Sequence, residues 1–150
     1  MAESPELLAG CSALWALFSK STLKPHEQQV VYLTSNFEND CDYCMAGHTT
    51  LAKMIKMDAG VNTAHLAGTS LPDTGLEALH RFTTLVVQER GFVLNAEVET
   101  FLAAGYTLQN VLEVMLGVAA KVMSNYTNYI CVSHIRSASS SRPPSLFRGL

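Results

Sequence analysis

The sequence predicts an all-α protein, a single-domain bundle of about seven helices. Three observations carry this. Apolar residues recur three and four apart along almost the whole chain, no run alternates apolar and polar residues between turn signals, and most of the helical stretches are bounded by capping residues, proline or glycine. With 150 residues, 48% hydrophobic and 15% charged, the chain can bury roughly two thirds of its surface around one core, which excludes a disordered chain.

The elements follow in order. Ser4 caps a first helix that Pro5 opens, with Leu7, Leu8, Cys11, Leu14, Trp15 and Phe18 on one stripe. Pro25 opens a second, reaching about Phe37, whose apolar side is Val30, Val31, Leu33 and Phe37; the segment Glu38-Asn39-Asp40 breaks it. Asn39 or Asp40 is expected to cap a third helix running from Cys41 to about Met57 and ending at Gly60. A short helical piece over Val61 to Ala67 leads to a turn at Leu71-Pro72-Asp73. Thr74 with Glu77 reads as a capping box for a helix carrying Leu76, Leu79, Phe82, Val86 and Val87, stopped by Gly91. Asn95 is expected to cap a short helix to about Ala104, with Gly105 ending it. From Thr107 the residues Leu108, Val111, Leu112, Met115, Ala119, Val122, Met123, Tyr126 and Ile130 hold helical spacing over about seven turns, so this last helix reads as the spine of the fold. The helical domain is placed at residues 1–136, and residues 137–150, rich in Ser, Pro and Arg, read as a flexible tail; there is no internal repeat.

A net charge of −3 and a pI near 5.9 offer no basic face for nucleic acid. The charge is uneven: residues 1–113 carry −7 and residues 114–150 carry +4. No apolar run approaches the ~18 to 20 residues needed to span a bilayer, so no membrane segment is expected. The acidic start, Met1-Ala-Glu-Ser-Pro-Glu6, lacks the basic region of a secretory signal, and a cytoplasmic location is expected. Cys11, Cys41, Cys44 and Cys131 are too few and too oddly spaced for a disulfide framework, so the close pair points to redox chemistry or metal.

The informative segment is Cys41-Asp-Tyr-Cys44-Met-Ala-Gly-His48. On a helix starting at Cys41, Cys44 lies one turn on and His48 four residues further, so the three side chains share a face. Unpaired N–H groups at the helix start favour a thiolate, and an imidazole within reach can take the thiol proton. Cys44 could then attack a peroxide oxygen or a disulfide and be released when Cys41 closes a disulfide on it. Haem attachment needs His directly after the second cysteine, where Met45 stands. A thioredoxin-type site needs a βαβ scaffold that this pattern does not support. Zinc would find three ligands in Cys41, Cys44 and His48 and would need a fourth from elsewhere. Redox chemistry ranks first, with inert packing thiols and metal as the open alternatives.

The stretch Gln28-Gln-Val-Val-Tyr-Leu-Thr-Ser-Asn-Phe-Glu-Asn-Asp-Cys-Asp-Tyr-Cys-Met-Ala-Gly-His48 resembles the core of the carboxymuconolactone decarboxylase family in its alkylhydroperoxidase D-like branch. Ala104-Gly-Tyr-Thr-Leu-Gln-Asn-Val-Leu-Glu-Val-Met115 and Met123-Ser-Asn-Tyr-Thr-Asn128 are similar to its closing helices, so the resemblance covers most of residues 25–130. It implies an all-helical homo-trimer or hexamer that reduces hydroperoxides through a cysteine pair, without haem, flavin or metal, and draws electrons from a thiol or lipoyl-type donor. It implies Cys44 as peroxidatic thiol, Cys41 as resolving thiol and His48 in a proton relay. The branch with the decarboxylase reaction lacks the cysteine pair. The family's relay glutamate falls on Gln29, which cannot exchange a proton. Glu27, on roughly the opposite side of the helix, does not replace it, and Tyr43 stands where some relatives have His.

The other candidates read as structural. Cys11 and Cys131 are expected to be buried small hydrophobes. His26, His65, His80 and His134 show no ligand spacing, and Trp15, Met115 and Met123 fit core stripes. Tyr126 and Asn128 resemble family positions near the site. The leading expectation is a thiol-dependent peroxidase; the alternatives are a dithiol-disulfide oxidoreductase and a non-catalytic helical oligomer with structural cysteines or zinc.

Overall fold

The computed structural model describes residues 1 and 3–137, with side chains through Cys131. Seven helices follow in order: α1 (Pro5–Phe18), α2 (Pro25–Glu38), α3 (Asp42–Met54), α4 (Ala59–Ala67), α5 (Thr74–Gln88), α6 (Asn95–Ala103) and α7 (Leu108–Ser137). There is no strand among the described residues, and the all-α expectation holds. The segment read as a tail lies, apart from Ser137, outside the described residues.

The centre of the bundle is α2, which packs against α3, α4, α5 and α7, while α1 lies along α7. The apolar side expected for α2 is only part of what it buries: Val30 to Asn36 are seven consecutive buried residues. A helix covered all round must satisfy its polar groups internally. Ser35 Oγ donates to the Val31 carbonyl at 2.7 Å, and the Asn36 side-chain oxygen accepts from Asn125 at 3.0 Å. A second packing centre stacks Phe101 between Phe82 and Tyr106, with ring centroids 4.3 and 4.4 Å apart, joining α5, α6 and the entry to α7. The Tyr106 hydroxyl donates to the Gly75 carbonyl at 3.1 Å.

The caps correct several boundaries. Ser4 caps α1 as expected, accepting from the Leu7 N–H at 3.3 Å. Neither Asn39 nor Asp40 caps α3: Asn39 closes α2, Asp40 is left-handed at φ 50°, and Cys41 itself is the N-cap. Helix α3 stops at Met54 rather than near Met57, because Lys56 turns left-handed at φ 57° and Asp58 then starts α4, accepting from Gly60 and Val61. Gly60 is therefore inside α4. At α5 the cap is Asp73, which takes the Leu76 N–H at 2.8 Å; Thr74 is already helical and Glu77 reaches back to the Leu71 N–H at 2.7 Å. Leu94, not Asn95, precedes α6, with no side-chain cap. Thr107 and Asn110 cap α7 reciprocally, the Asn110 side chain accepting from the Thr107 N–H at 2.9 Å and the Thr107 hydroxyl accepting from the Asn110 N–H at 3.2 Å. Sequence spacing places a cap residue only to within a turn, and which Asx or Thr wins depends on the angle at which the preceding loop arrives. Two core assignments also change: Cys131 is exposed and Met115 is 51% exposed, because the outer face of α7 has no helix packed on it within the described chain.

Helix α7 approaches the core most closely at Gly117, where a Cβ would lie 2.7 Å from the Phe18 ring and 2.8 Å from Val31. Both neighbours are fully buried and cannot yield without disturbing the core. Gly117→Ala is therefore expected to lower stability by about 1–2 kcal/mol despite the better helix propensity of alanine. Gly10 in α1 has nothing within 4 Å of its Cβ position, so Gly10→Ala should raise stability by about 0.5–1 kcal/mol. Thermal melts of the two variants moving in opposite directions are the check.

Candidate active site

The site is built where α3 begins. The Cys41 N–H donates to the Asn36 carbonyl at 2.9 Å, which ties the start of α3 to the end of α2, and Met45 N–H closes the first turn on the Cys41 carbonyl at 2.8 Å. Cys41 and Cys44 are thus held one turn apart, 8% and 6% exposed. Burial raises the Cys41 pKa, and its thiol hydrogen bond to the Cys44 sulfur raises it further; the Cys44 backbone N–H and the Asn125 side chain pull the other way. Cys41 is therefore the thiol that keeps its proton and offers it to Cys44. The Cys44 sulfur accepts a second hydrogen bond, from Asn128 Nδ2 at 3.0 Å.

His48, 4% exposed, lies on the expected face, but its nitrogens face groups other than the thiols. Nδ1 is 2.9 Å from Gln29 Oε1, and Nε2 is 3.2 Å from Lys121 Nζ. An amide oxygen only accepts, so Nδ1 carries the ring proton and the Nε2 lone pair accepts from the lysine. The ring sits beside Tyr32 and Trp15, at centroid distances of 4.8 and 5.4 Å, and Lys121 Nζ lies 5.3 Å from the Trp15 ring and 5.7 Å from the Tyr32 ring. Burial and the lysine charge push the His48 pKa down to about 3, so the imidazole is neutral at physiological pH. Desolvation likewise lowers the pKa of Lys121, while Cys44, Cys41 and Cys11 raise it.

The four residues singled out from the sequence, Gln29, Cys41, Cys44 and His48, are brought together between α2 and α3. Sequence reasoning missed Lys121 and Asn125, which α7 contributes opposite them. A signal was available: Lys121, Asn125 and Asn128, at spacings of four and three, fall on the same face of α7 as the buried Val114 and Val118. Three polar residues on a buried face mark either a polar network or a site. Asn125 anchors that network, accepting from Asn39 Nδ2 at 3.1 Å and donating to Asn36. Trp15, read as core, is half-buried against His48. Tyr126 and Tyr43 are exposed, and Glu27 accepts from the Lys24 N–H at 2.6 Å, away from His48.

Two clefts open on the surface, one lined by Thr49, Lys53, Met57 and Asn62 on α3 and α4 and the loop before α4, the other by residues of α5 and α6 including Glu77 and Arg81; neither is lined by a cysteine. Among the described residues no three His, Cys, Asp or Glu side chains are arranged to hold a metal ion. At the cysteines the reason is visible: the third zinc ligand that the sequence offered has turned its nitrogens to an amide and a lysine. No single described helix is long and apolar enough to cross a membrane.

A buried vicinal pair of thiols at a helix start, with an imidazole one turn on, defines a dithiol site in an all-helical bundle. Residues 5–69, from α1 through α4 with both clustered cysteines, Gln29 and His48, match the Carboxymuconolactone decarboxylase family. No curated protein matches the chain significantly.

A second histidine cluster supports the fold behind the site. His65 donates from Nδ1 to the Val61 carbonyl at 3.0 Å, so its Nε2 accepts from Thr34, 3.3 Å away, and the Thr34 oxygen in turn accepts from His80 Nδ1 at 2.8 Å. Burial lowers the His65 pKa to about 4, the Val61 bond opposing and His80 adding to the shift. A histidine that binds its proton more weakly folded than unfolded stabilises fully above its unfolded pKa, and that contribution is lost as pH falls toward the folded value. His48 and His65 are therefore expected to make the protein less stable as pH drops from about 6.5 to about 4. Chemical denaturation across this range should show the decline, and His65→Gln, which keeps a partner for Thr34 without titrating, should flatten it.

Proposed function

We propose that this protein is a thiol-dependent peroxidase of the alkylhydroperoxidase D-like type. The observation that carries the reading is the ordered pair of thiols: Cys41 hydrogen-bonds Cys44, and Cys44 also accepts from Asn128. The Cys44 thiolate attacks the terminal oxygen of a hydroperoxide, the O–O bond breaks, and the alkoxide leaves as the alcohol once protonated. Cys41 then attacks the sulfur of the resulting sulfenic acid, and water leaves as the disulfide forms. A thiol or lipoyl-type donor outside the chain supplies two electrons and two protons to restore the dithiol.

The burial of both sulfurs supports a small hydroperoxide as oxidant over a disulfide on the surface of a folded protein, which cannot approach a thiol that is 6% exposed without opening α3. Gln29 holds His48 through an amide and exchanges no proton, so peroxide reduction is slow for a site of this type. One equivalent of peroxide added to the reduced protein should convert Cys41 and Cys44 to an intramolecular disulfide, read by peptide mapping, and Gln29→Glu should speed its formation. Finding both thiols free after that treatment would refute the reading.

The same reading includes assembly. Leu108, Leu112 and Met115, spaced four and three apart on α7, are 66%, 65% and 51% exposed, an apolar stripe that a second copy of the chain would cover. Light scattering at micromolar concentration is expected to give a symmetric homo-oligomer, a trimer or hexamer, and Leu112→Glu should shift the mass toward monomer. A monomeric wild-type mass counts against assembly.

A further inference from the structure

Lys121 is 1% exposed, and among the described residues no carboxylate stands opposite its ammonium. Contacts place the Trp15 ring of α1, the Tyr32 ring of α2 and His48 of α3 against it, and the thiols of Cys44, Cys41 and Cys11, which make no direct hydrogen bond to it, act on its charge in that order, Cys44 most strongly. The chain has no acidic side chain after Glu113, so α7 provides no partner beyond that point either. A lone buried cation is costly, and a lysine so placed either gives up its proton or faces an anion. Among its neighbours the thiols are the groups able to become that anion. His48 cannot store the proton, being neutral down to about pH 3, and its acceptor nitrogen is already turned to Lys121.

We propose that Lys121 and Cys44 share one proton: Lys121 takes it from the Cys44 thiol, remains beside the thiolate as its counter-charge, and returns it to the leaving alkoxide. The pocket stays neutral overall at each stage. Thiol and amine become thiolate and ammonium; attack on the peroxide converts thiolate to sulfenic acid and releases alkoxide; the ammonium protonates the alkoxide and is an amine again. In the second step the amine accepts the Cys41 proton and passes it to the hydroxide expelled from the sulfenic acid, leaving water. Gln29 and His48 are positioning residues in this scheme, since the chain from Gln29 Oε1 through Nδ1–H and Nε2 aims a lone pair at the lysine and fixes where its amine sits. Lys121 thereby handles the proton in a site where Gln29 cannot, and a carboxylate at position 29 would add a second, faster route. Burial lowers the lysine pKa and the three thiols raise it again, which brings amine and thiol closer in proton affinity than they are in water.

The inference rests on the peroxidase reading for its second half only, so the test has two readouts. The first is the pH dependence of Cys44 alkylation by iodoacetamide in the reduced full-length protein, followed by peptide mass spectrometry. Lys121→Met keeps length and apolar stem while removing the charge; it should raise the alkylation midpoint by about one pH unit or more and slow alkylation at neutral pH about tenfold. Lys121→Arg, a permanent cation, should keep the wild-type midpoint yet slow the peroxide-driven disulfide, since guanidinium does not release a proton. A folded Lys121→Met protein with the wild-type midpoint overturns the shared proton, and Lys121→Arg reacting with peroxide at the wild-type rate overturns the proton return. Should Lys121→Met fail to fold, Cys44→Ser decides: the Lys121 Nζ resonance should titrate at lower pH without the thiol, and an unchanged titration overturns the proposal. If wild-type protein forms no Cys41 to Cys44 disulfide with peroxide, the peroxidase reading fails while the alkylation readout still judges the Lys121 and Cys44 pair.

Discussion

Helix α2 is buried on all sides over its middle two turns, and the placement of the other helices follows from that burial. Seven residues in succession, Val30 to Asn36, lose contact with water, and three of them are polar. The partners that most of these polar groups find come from different helices: Asn125 of α7 for the Asn36 oxygen, His65 of α4 and His80 of α5 for Thr34, while Asn36 Nδ2 has none among the described residues. An amphipathic helix is located only by its apolar stripe, whereas these directional bonds fix rotation and register as well. The Cys41 N–H on the Asn36 carbonyl then sets where α3 begins. The position of both thiols is in this sense a consequence of how α2 is satisfied.

From α2 the polar network runs directly into the site. Gln29, Tyr32 and Asn36 lie three and four residues apart on one face, and they meet His48, the Trp15 ring and Asn125 respectively. Lys121, Asn125 and Asn128 answer them from α7 with the same spacing. Two helices distant in sequence thus present matched polar stripes across α3, whose first turn carries the thiols between them. This arrangement is rigid: His48 is held at both nitrogens, and Cys44 by the Asn128 amide as well as by Cys41. A site assembled on helix faces of this kind is positioned more narrowly than one carried by loops.

Electrostatics give the site its character. A carboxylate at position 29 would add a negative charge beside His48 and support an imidazolium. The amide leaves His48 neutral and leaves Lys121 as the group beside the thiols that can take positive charge. With an amide at position 29, the imidazole keeps its hydrogen bond without gaining a charged neighbour there. Gln29, His48 and both clustered cysteines lie inside the segment that matches the family, whereas Lys121, which carries the charge beside them, lies outside it.

The helical class, all seven helices, and the grouping of Cys41, Cys44 and His48 are legible in the residues alone, because each depends on neighbours within about two turns, where apolar period, caps and spacing act directly. It also placed Gln29 with them through the resemblance of a short contiguous segment. Cap identity was less legible: Asp73 displaced Thr74 and Cys41 displaced Asp40, since loop direction chooses among adjacent candidates. Tertiary structure alone decided that Lys121 and Asn125 belong to the site, that His48 faces Gln29 and Lys121 rather than a thiol, and that Met115 and Cys131 stay outside the core. These depend on which face of α7 turns toward α2 and α3, seventy to ninety residues away in the chain. Periodicity shows that a helix has a buried face; only packing shows what that face meets.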